Sequence, residues 1–387
     1  MFLYLLYFVT RLINLDKLPI FNDEAFFIHA ARQIISNPLQ NLFFNFSDGK
    51  EPFFFWLYTL PVKFSSDALL GIRLFTVILG FLTLIYLLKI SQKLSLNSFW
   101  IGLAYVVSPF LLFYHRIAMQ ETLLTFLLVA GIYYLLSKNQ ILTGIFLGLA
   151  LLTKTSSLAF LIFLFPILIY RKYFFTLIIA GLIYLPVFIG FSQISAHNSS
   201  YFGLISLSQI IINLKMATKW LWEYQGPLGL LGILMPPVIL ESFIAKIFFP
   251  RYFLFVIPLI ILFAAKILKN KPWLFFLLLV PNIILSFQIV SDVKFAPLPY
   301  IEKWQYLEAW PAGEGIKETA AFLRSQNAKV VVTEDIMIAR NGLEYYYPQA
   351  IYKTNGTGSY YVFIREHNPK NEMILKYSYQ DKIKVYQ

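Results

Sequence analysis

Arg11-Leu-Ile-Asn-Leu-Asp16-Lys17-Leu-Pro19-Ile-Phe21-Asn22-Asp23-Glu24-Ala25 is the stretch on which the reading of this chain turns. It follows an apolar segment, residues 1–10, and sets two adjacent carboxylates, Asp23 and Glu24, among aromatic residues that continue at Phe26 and Phe27. Residues 25–35 carry apolar side chains at helical spacing, which predicts a helix lying along a membrane surface. Asp48-Gly49-Lys50-Glu51-Pro52 then precedes Phe53-Phe54-Phe55-Trp56-Leu57, an aromatic run suited to a membrane interface. Residues 1–290 hold nine acids, and five of them (Asp16, Asp23, Glu24, Asp48 and Glu51) fall in one short segment, residues 16–51, of the first loop, residues 14–68. An acid within or beside a bilayer is costly unless it is paired or has work to do. The bland alternative is a solvated loop with interfacial anchors; the crowding of acids in a basic, carboxylate-poor chain counts against it.

The rest of the composition explains why a bilayer is in question at all. Of 387 residues, 58% are hydrophobic, 18% aromatic and only 13% charged, where a soluble globular protein carries about 25% charged residues. An ordinary soluble enzyme, a disordered chain and a collagen-like chain are all excluded. Cysteine is absent, which removes disulfides, thiol nucleophiles and Cys-ligated metal sites. The net charge is +12, and its distribution is uneven: residues 1–290 carry 20 bases against nine acids, residues 291–387 carry 12 against 11. This shift predicts a membrane body, 1–290, followed by a water-facing domain, 291–387. The bases are dispersed rather than gathered in a stripe, so no nucleic-acid partner is expected. In the tail, residues 314–326 have helical spacing, and 329–333, 360–364 and 382–386 read as strands, giving a small α/β unit. No glycine-rich phosphate loop follows those strands, so no nucleotide site is expected there.

A span needs about 20 apolar residues. Candidates are 69–88, 97–114, 117–136, 155–170, 173–191, 227–245, 249–265 and 272–290, with 140–153 as a shorter partner. Residues 1–10 lack the basic start and small-residue cleavage site of a signal peptide and read as a first span, clipped by a late start. Lys89/Lys93, Lys138, Arg171/Lys172 and Lys266/Lys269/Lys271 mark the cytoplasmic side. The first loop, the 115–121 region, Lys154 and the C-terminal domain then face outward. One parity conflict remains: three spans separate Arg171/Lys172 from Lys266–Lys271, so 203–224 or 227–248 conceals a further crossing or a re-entrant stretch.

With these residues in view, the 11–25 segment resembles the first-loop Asp-Glu motif of the GT-C membrane glycosyltransferases. It is most similar to glycosyltransferase family 39, the group of protein O-mannosyltransferases and lipid A aminoarabinose transferase. Further segments agree in order and spacing. Gly49-Lys50-Glu51-Pro52 through Trp56 resembles the family's Lys/Glu-Pro…Tyr-Trp segment, and Ala68-Leu-Leu-Gly-Ile-Arg73-Leu74 its Arg-Leu span start. Tyr114-His115-Arg116-Ile-Ala-Met-Gln-Glu121-Thr-Leu-Leu is similar to its Ser-Arg-x-Ala-x-x-Asp/Glu-x-x-Leu motif. Gly148-Leu-Ala-Leu-Leu-Thr-Lys154 resembles Gly-Leu-Ala-x-x-Thr-Lys, and Pro250-Arg251-Tyr252-Phe-Leu-Phe a late Arg-Tyr-Leu-x-Pro segment. Together they cover residues 11–265.

The resemblance implies an α-helical polytopic GT-C fold of about 10–12 transmembrane helices with a small extracytoplasmic C-terminal α/β domain. It also implies an inverting enzyme that moves one hexose or pentose from a polyprenyl-phosphate donor to a lipid, glycan or protein acceptor at the outer face of the cell membrane. Asp23 would be the general base, with Glu24 orienting it, raising its pKa or binding a metal. Lys50, Arg116 and Arg251 would bind the donor phosphate. Glu51, Glu121, Lys154 and Tyr252 would support them. Two departures stand out: Lys50 and Glu51 occur in the reverse order of some relatives, and the 227–249 stretch is short. Some relatives bind a divalent metal through this glutamate and a later histidine; His29, His115, His197 and His367 show no metal-ligand spacing, and no metal site is assigned. The rival readings are a flippase of lipid-linked sugars, a polysaccharide polymerase or ligase, and an accessory membrane protein. A flippase calls for midplane charges and two similar halves, and neither is visible here.

Overall fold

A computed structural model describes residues 1–43, 48–364 and 373–387; His367 lies outside them. The first half of the chain forms α1 (Phe2–Leu12), α2 (Asn22–Ser36), α3 (Phe53–Phe64), α4 (Ala68–Lys93), α5 (Ser98–Val106), α6 (Pro109–His115), α7 (Gln120–Leu136) and α8 (Gln140–Leu151). The helices α9 (Ser157–Tyr170), α10 (Phe174–Tyr201), α11 (Leu207–Gln225), α12 (Pro227–Leu234), α13 (Pro236–Ile244), α14 (Pro250–Ile267) and α15 (Pro272–Ser291) complete the body. Polar side chains fix where apolar segments begin. Asp67 accepts from the Leu70 N–H (2.9 Å) at the start of α4, and Asn139 does the same for Leu142 (3.0 Å) at the start of α8. Ser108 caps α6 ahead of Pro109, whose missing N–H costs nothing at a first helical position.

Among the described residues four helices, α4, α10, α14 and α15, are long and apolar enough to cross a membrane, and the pairs α5–α6 and α12–α13 qualify as bent pairs, at 58° and 72°. α1, α3, α7, α8 and α9 are apolar but shorter. The expected spans therefore coincide with helices, and the parity conflict has a structural answer. Phe202 bridges Ala245, the Gly203 N–H donates to the Ile244 carbonyl (2.8 Å), and the Lys246 N–H to that of Tyr201 (2.7 Å). The beginning and end of the 203–244 segment thus lie side by side. Its turn, at Gly226 with φ 55° before Pro227, packs against Pro281 and Asn282 half-way along α15. The segment dips in and returns to the same end, so only α10 and α14 cross between Arg171 and Lys266. α11 fails the apolar test for its own reason: Gln209, Asn213, Lys215, Lys219 and Glu223 interrupt it.

Beyond α15, residues 300–312 form short helical turns and α16 (Ile316–Ser325) packs on a five-stranded sheet. The strands are β1 (Val330–Thr333), β2 (Ile351–Lys353), β3 (Tyr360–Phe363), β4 (Leu375–Tyr379) and β5 (Ile383–Tyr386), in the order β2-β1-β3-β5-β4. β1 runs parallel to β2 and β3, while β5 pairs antiparallel with β3 and β4. The expected helix and three strands are present; β2 and β4 are additions. This unit rests on the first loop. The Ile338 N–H donates to Asn22 Oδ1 (3.0 Å), the Tyr345 hydroxyl to Asp67 (2.7 Å), and the Tyr306 ring packs on Phe21 at 4.4 Å.

Candidate active site

The first turn of α2 carries the two carboxylates, and they face different surroundings. Glu24 is fully buried. It receives Nε and Nη2 of Arg73 (2.8 and 2.7 Å), the Phe21 N–H (3.0 Å) and the Ala118 N–H (2.9 Å). Arg73 spends its remaining donors on the carbonyls of Leu15, Leu18 and Pro19. Glu24 therefore closes the start of α2 and ties it to α4 and to the loop before α7. It does not line the cavity beside it; it holds in place the helical turn that presents Asp23.

Asp23 opens on that cavity, of about 110 Å3, with Lys50, Glu121, Lys154, Arg251 and Tyr252 in its wall. Its Oδ2 stands 4.0 Å from Arg251 Nη2, and Asn22 donates to its Oδ1 (3.3 Å). Burial pushes the Asp23 carboxyl up, but Lys50 and Arg251 outweigh it, and the net displacement is below the ordinary carboxylate value. Lys50 is paired with Asp48 (2.5 Å) and lies over the Phe26 and Phe27 rings at 5.1 and 5.5 Å. Burial alone depresses its ammonium, yet Asp23 and Asp48 hold it above its usual value. Gly49, at φ +65°, makes this turn: a Cβ there would fall on the Cβ of His197.

The opposite wall comes from distant parts of the chain. Lys154 pairs with Glu121 (2.5 Å) and covers the Tyr252 ring at 4.9 Å. Arg251 Nε lies 3.4 Å from the same Glu121 oxygen, while its Nη1 donates to Gln305 Oε1 (3.1 Å) and to the Tyr306 hydroxyl (3.2 Å). Glu51 is turned to the Thr155 hydroxyl, which also accepts from Asn198 (2.8 Å). Burial raises the Glu51 carboxyl. Three cations thus face one small cavity with three carboxylates, Asp23 and Glu121 among the cations and Glu51 turned to Thr155. Such a wall suits a bound dianion with a reacting hydroxyl beside Asp23.

Of the residues singled out in the sequence, Asp23, Lys50, Glu51, Glu121, Lys154, Arg251 and Tyr252 line this cavity. Glu24 stands behind it. Arg116 lies elsewhere, with its guanidinium on the carbonyls of Ile289 (3.1 Å), Ile13 (2.9 Å) and Asn14 (3.0 Å). Thr155, His197, Asn198 and Tyr201 also line the cavity without having been anticipated. The available signal was the polar run 192–201 ending an apolar span, which α10 continues as one helix into the site. Gln305 and Tyr306 had no local signal. Glu51 and His197 share the cavity, but no group of three or more His, Cys, Asp or Glu placed to hold a metal occurs among the described residues. That donor set falls short of a three-ligand protein site.

No family model and no curated protein matches the sequence. Solved structures do match the fold. ArnT from Cupriavidus metallidurans bound to undecaprenyl phosphate superposes with a TM-score of 0.58 over 99% of this chain and 96% of that one, at 12% identity. Its apo state gives 0.59 over 99% and 95%, also at 12% identity. The chain therefore shares its fold, over nearly its whole length, with these two ArnT structures.

Proposed function

We propose that this protein is an inverting glycosyltransferase that moves a single sugar from a polyprenyl-phosphate carrier to an acceptor hydroxyl or phosphate at the extracytoplasmic membrane surface. The observation that carries this reading is the set of three cations, Lys50, Lys154 and Arg251, around the cavity that Asp23 faces. The carrier's phosphate sits among the three cations, and its sugar points toward Asp23. Attack by the acceptor oxygen forms the new glycosidic bond at the anomeric carbon as the bond to the phosphate oxygen breaks. The electron pair leaves with the phosphate, where the cations stabilise it. The acceptor's proton, where it has one, passes to Asp23.

The depressed pKa of Asp23 fits this sequence. In the free protein Asp23 is ionised and a weak base, because Lys50 and Arg251 face it. A bound phosphate shares those cations and returns basicity to Asp23 as the donor arrives. The undecaprenyl phosphate bound by ArnT supports a polyprenyl phosphate as the carrier. The sidedness rests on the bases. Lys93, at the far end of α4 from Arg73, lies over Tyr133, and Lys269 shares a cavity with Asn97 and Trp100. These bases gather at the end of the bundle away from the Asp23 cavity, as cytoplasmic loops do.

The test is a transfer assay in membranes supplied with polyprenyl-phosphate hexoses and pentoses, reading sugar in the acceptor fraction and free polyprenyl phosphate. Stoichiometric appearance of both is expected. A donor that crosses the bilayer intact would overturn the transferase in favour of a flippase, and transfer of preassembled glycans in favour of a ligase.

A further inference from the structure

A second cavity, of about 330 Å3, opens where α1 and α15 end, and Asn14 joins them by donating to the Val290 carbonyl (3.1 Å). Arg116 lines it at only 2% exposure. Three of its five N–H groups reach carbonyl oxygens. Its Nε has no partner among the described residues. No carboxylate among the described residues pairs with it, and the charges it feels most are other cations, Arg11 and Arg73. A buried guanidinium held by carbonyls alone is costly without a counter-ion. Lys17 and Lys294 stand on the same cavity. Lys294 also pairs with Glu314 (2.9 Å), and Asp292, the one acid in the lining, accepts the Lys294 backbone N–H (3.0 Å). Three cations thus meet one acid.

The other surroundings are apolar. Leu18, Val293 and Leu307 line the cavity. On the two helices that end at it, Val9 and Leu12 of α1 and Ile284 and Phe287 of α15 are exposed, apolar side chains suited to contact with acyl chains. An anion that brings its own hydrocarbon matches both halves of this environment, which a free ion does not.

We infer that the cavity between the ends of α1 and α15 binds the anionic phosphate headgroup of a membrane lipid, at a site separate from the Asp23 cavity. The phosphate lies against Arg116 with Lys17 and Lys294 at the mouth, and the acyl chains run down α1 and α15.

The full-length protein in neutral detergent, stripped of native lipid, is titrated with phosphatidylglycerol, with phosphatidylcholine and with inorganic phosphate. Bound lipid is followed by native mass spectrometry and by melting temperature. Phosphatidylglycerol is expected to bind in preference to phosphatidylcholine and to raise the melting temperature. Lys17→Glu, at an exposed position that does not threaten folding, weakens that binding by about five-fold or more, since each surface lysine contributes about 1 kcal/mol toward an anionic lipid. Val293→Trp, which fills the cavity without altering charge, weakens it as well, whereas Lys50→Gln in the Asp23 cavity leaves it unchanged. Inorganic phosphate matching the lipid in a Lys17-dependent way would overturn the lipid as the source. Equal response to the zwitterionic lipid, or loss in Lys50→Gln with Lys17→Glu unaffected, would overturn the site.

Discussion

Replacing Glu24 separates its part in the structure from that of its neighbour Asp23. Glu24 accepts four hydrogen bonds between 2.7 and 3.0 Å, two of them from Arg73, and both side chains are buried. Removing one member of a buried pair costs about 3–5 kcal/mol, because the partner charge is left without compensation. Glu24→Ala leaves the Arg73 guanidinium facing carbonyls alone and orphans the N–H groups of Phe21 and Ala118 inside the protein, so the upper end of that range is expected. Glu24→Leu with Arg73→Met removes both charges and recovers the part of the loss that comes from the unpaired guanidinium, while the N–H groups of Phe21 and Ala118 and the carbonyls of Leu15, Leu18 and Pro19 stay unmatched. Melting in detergent and a double-mutant cycle read this directly: a coupling of about 2 kcal/mol or more is expected, within the range for residues of one network. Sugar transfer in the double variant stays impaired, because the turn that presents Asp23 has lost its tie to the loop before α7. A Glu24→Ala protein melting within about 0.5 kcal/mol of the parent, the scatter of an ordinary surface change, would refute the reasoning.

Three further outcomes follow from the same structure. Tyr306→Phe with Gln305→Ala frees Arg251 Nη1 of both its uncharged partners; each such bond to a charged group is worth about 1.5–3 kcal/mol, so the melting temperature falls, and on the folded protein donor affinity falls by about ten-fold as Arg251 loses its orientation. Glu302 is buried and its carboxyl is pushed up to about 7 by burial, against the Tyr114 hydroxyl that donates to it (2.6 Å). A carboxyl raised in the folded state above its unfolded value favours folding at low pH, and that advantage is lost as pH rises from the unfolded value to about 7. Glu302→Gln is therefore expected to raise stability by about 3 kcal/mol at pH 8 relative to the parent, with the gain shrinking as pH falls and vanishing below 4.5, in melts across that range; a pH-independent difference would remove Glu302 as its source. Gly49→Ala forces a side chain into a left-handed turn against His197, and transfer measured beside melting is expected to fall steeply from displacement of Lys50.

What the sequence could disclose followed from the range over which each signal acts. Apolar runs are local, so the helices α4, α7, α10 and α15 fall where hydropathy puts them. The re-entrant α11–α13 segment was legible only as a contradiction between lysine clusters, because its decisive contacts join Tyr201 and Gly203 to residues more than 40 positions away. β2 and β4 escaped notice because neither holds a buried residue to mark an inward face. Within the cavity, resemblance supplied Asp23, Lys50, Lys154 and Arg251, while Asn198 in its wall and Gln305 and Tyr306 behind Arg251 arrive by long-range folding and carry no motif. Arg116 shows the limit of a motif most clearly. Its spacing places it beside the loop that precedes α7, but the direction of its side chain, toward α15 rather than toward Asp23, is set by carbonyls of Ile13, Asn14 and Ile289.

The central claim is that Asp23 performs chemistry on a phosphate-linked sugar held by Lys50, Lys154 and Arg251. Its most direct test is Asp23→Asn, with transfer from a polyprenyl-phosphate sugar and equilibrium binding of that donor measured on the same preparation. The account predicts donor binding retained or tightened, since a negative charge beside the phosphate is removed, and turnover lowered by about 10²–10⁴-fold, the contribution of a positioned base. Turnover equal to that of the parent with donor binding intact would contradict it.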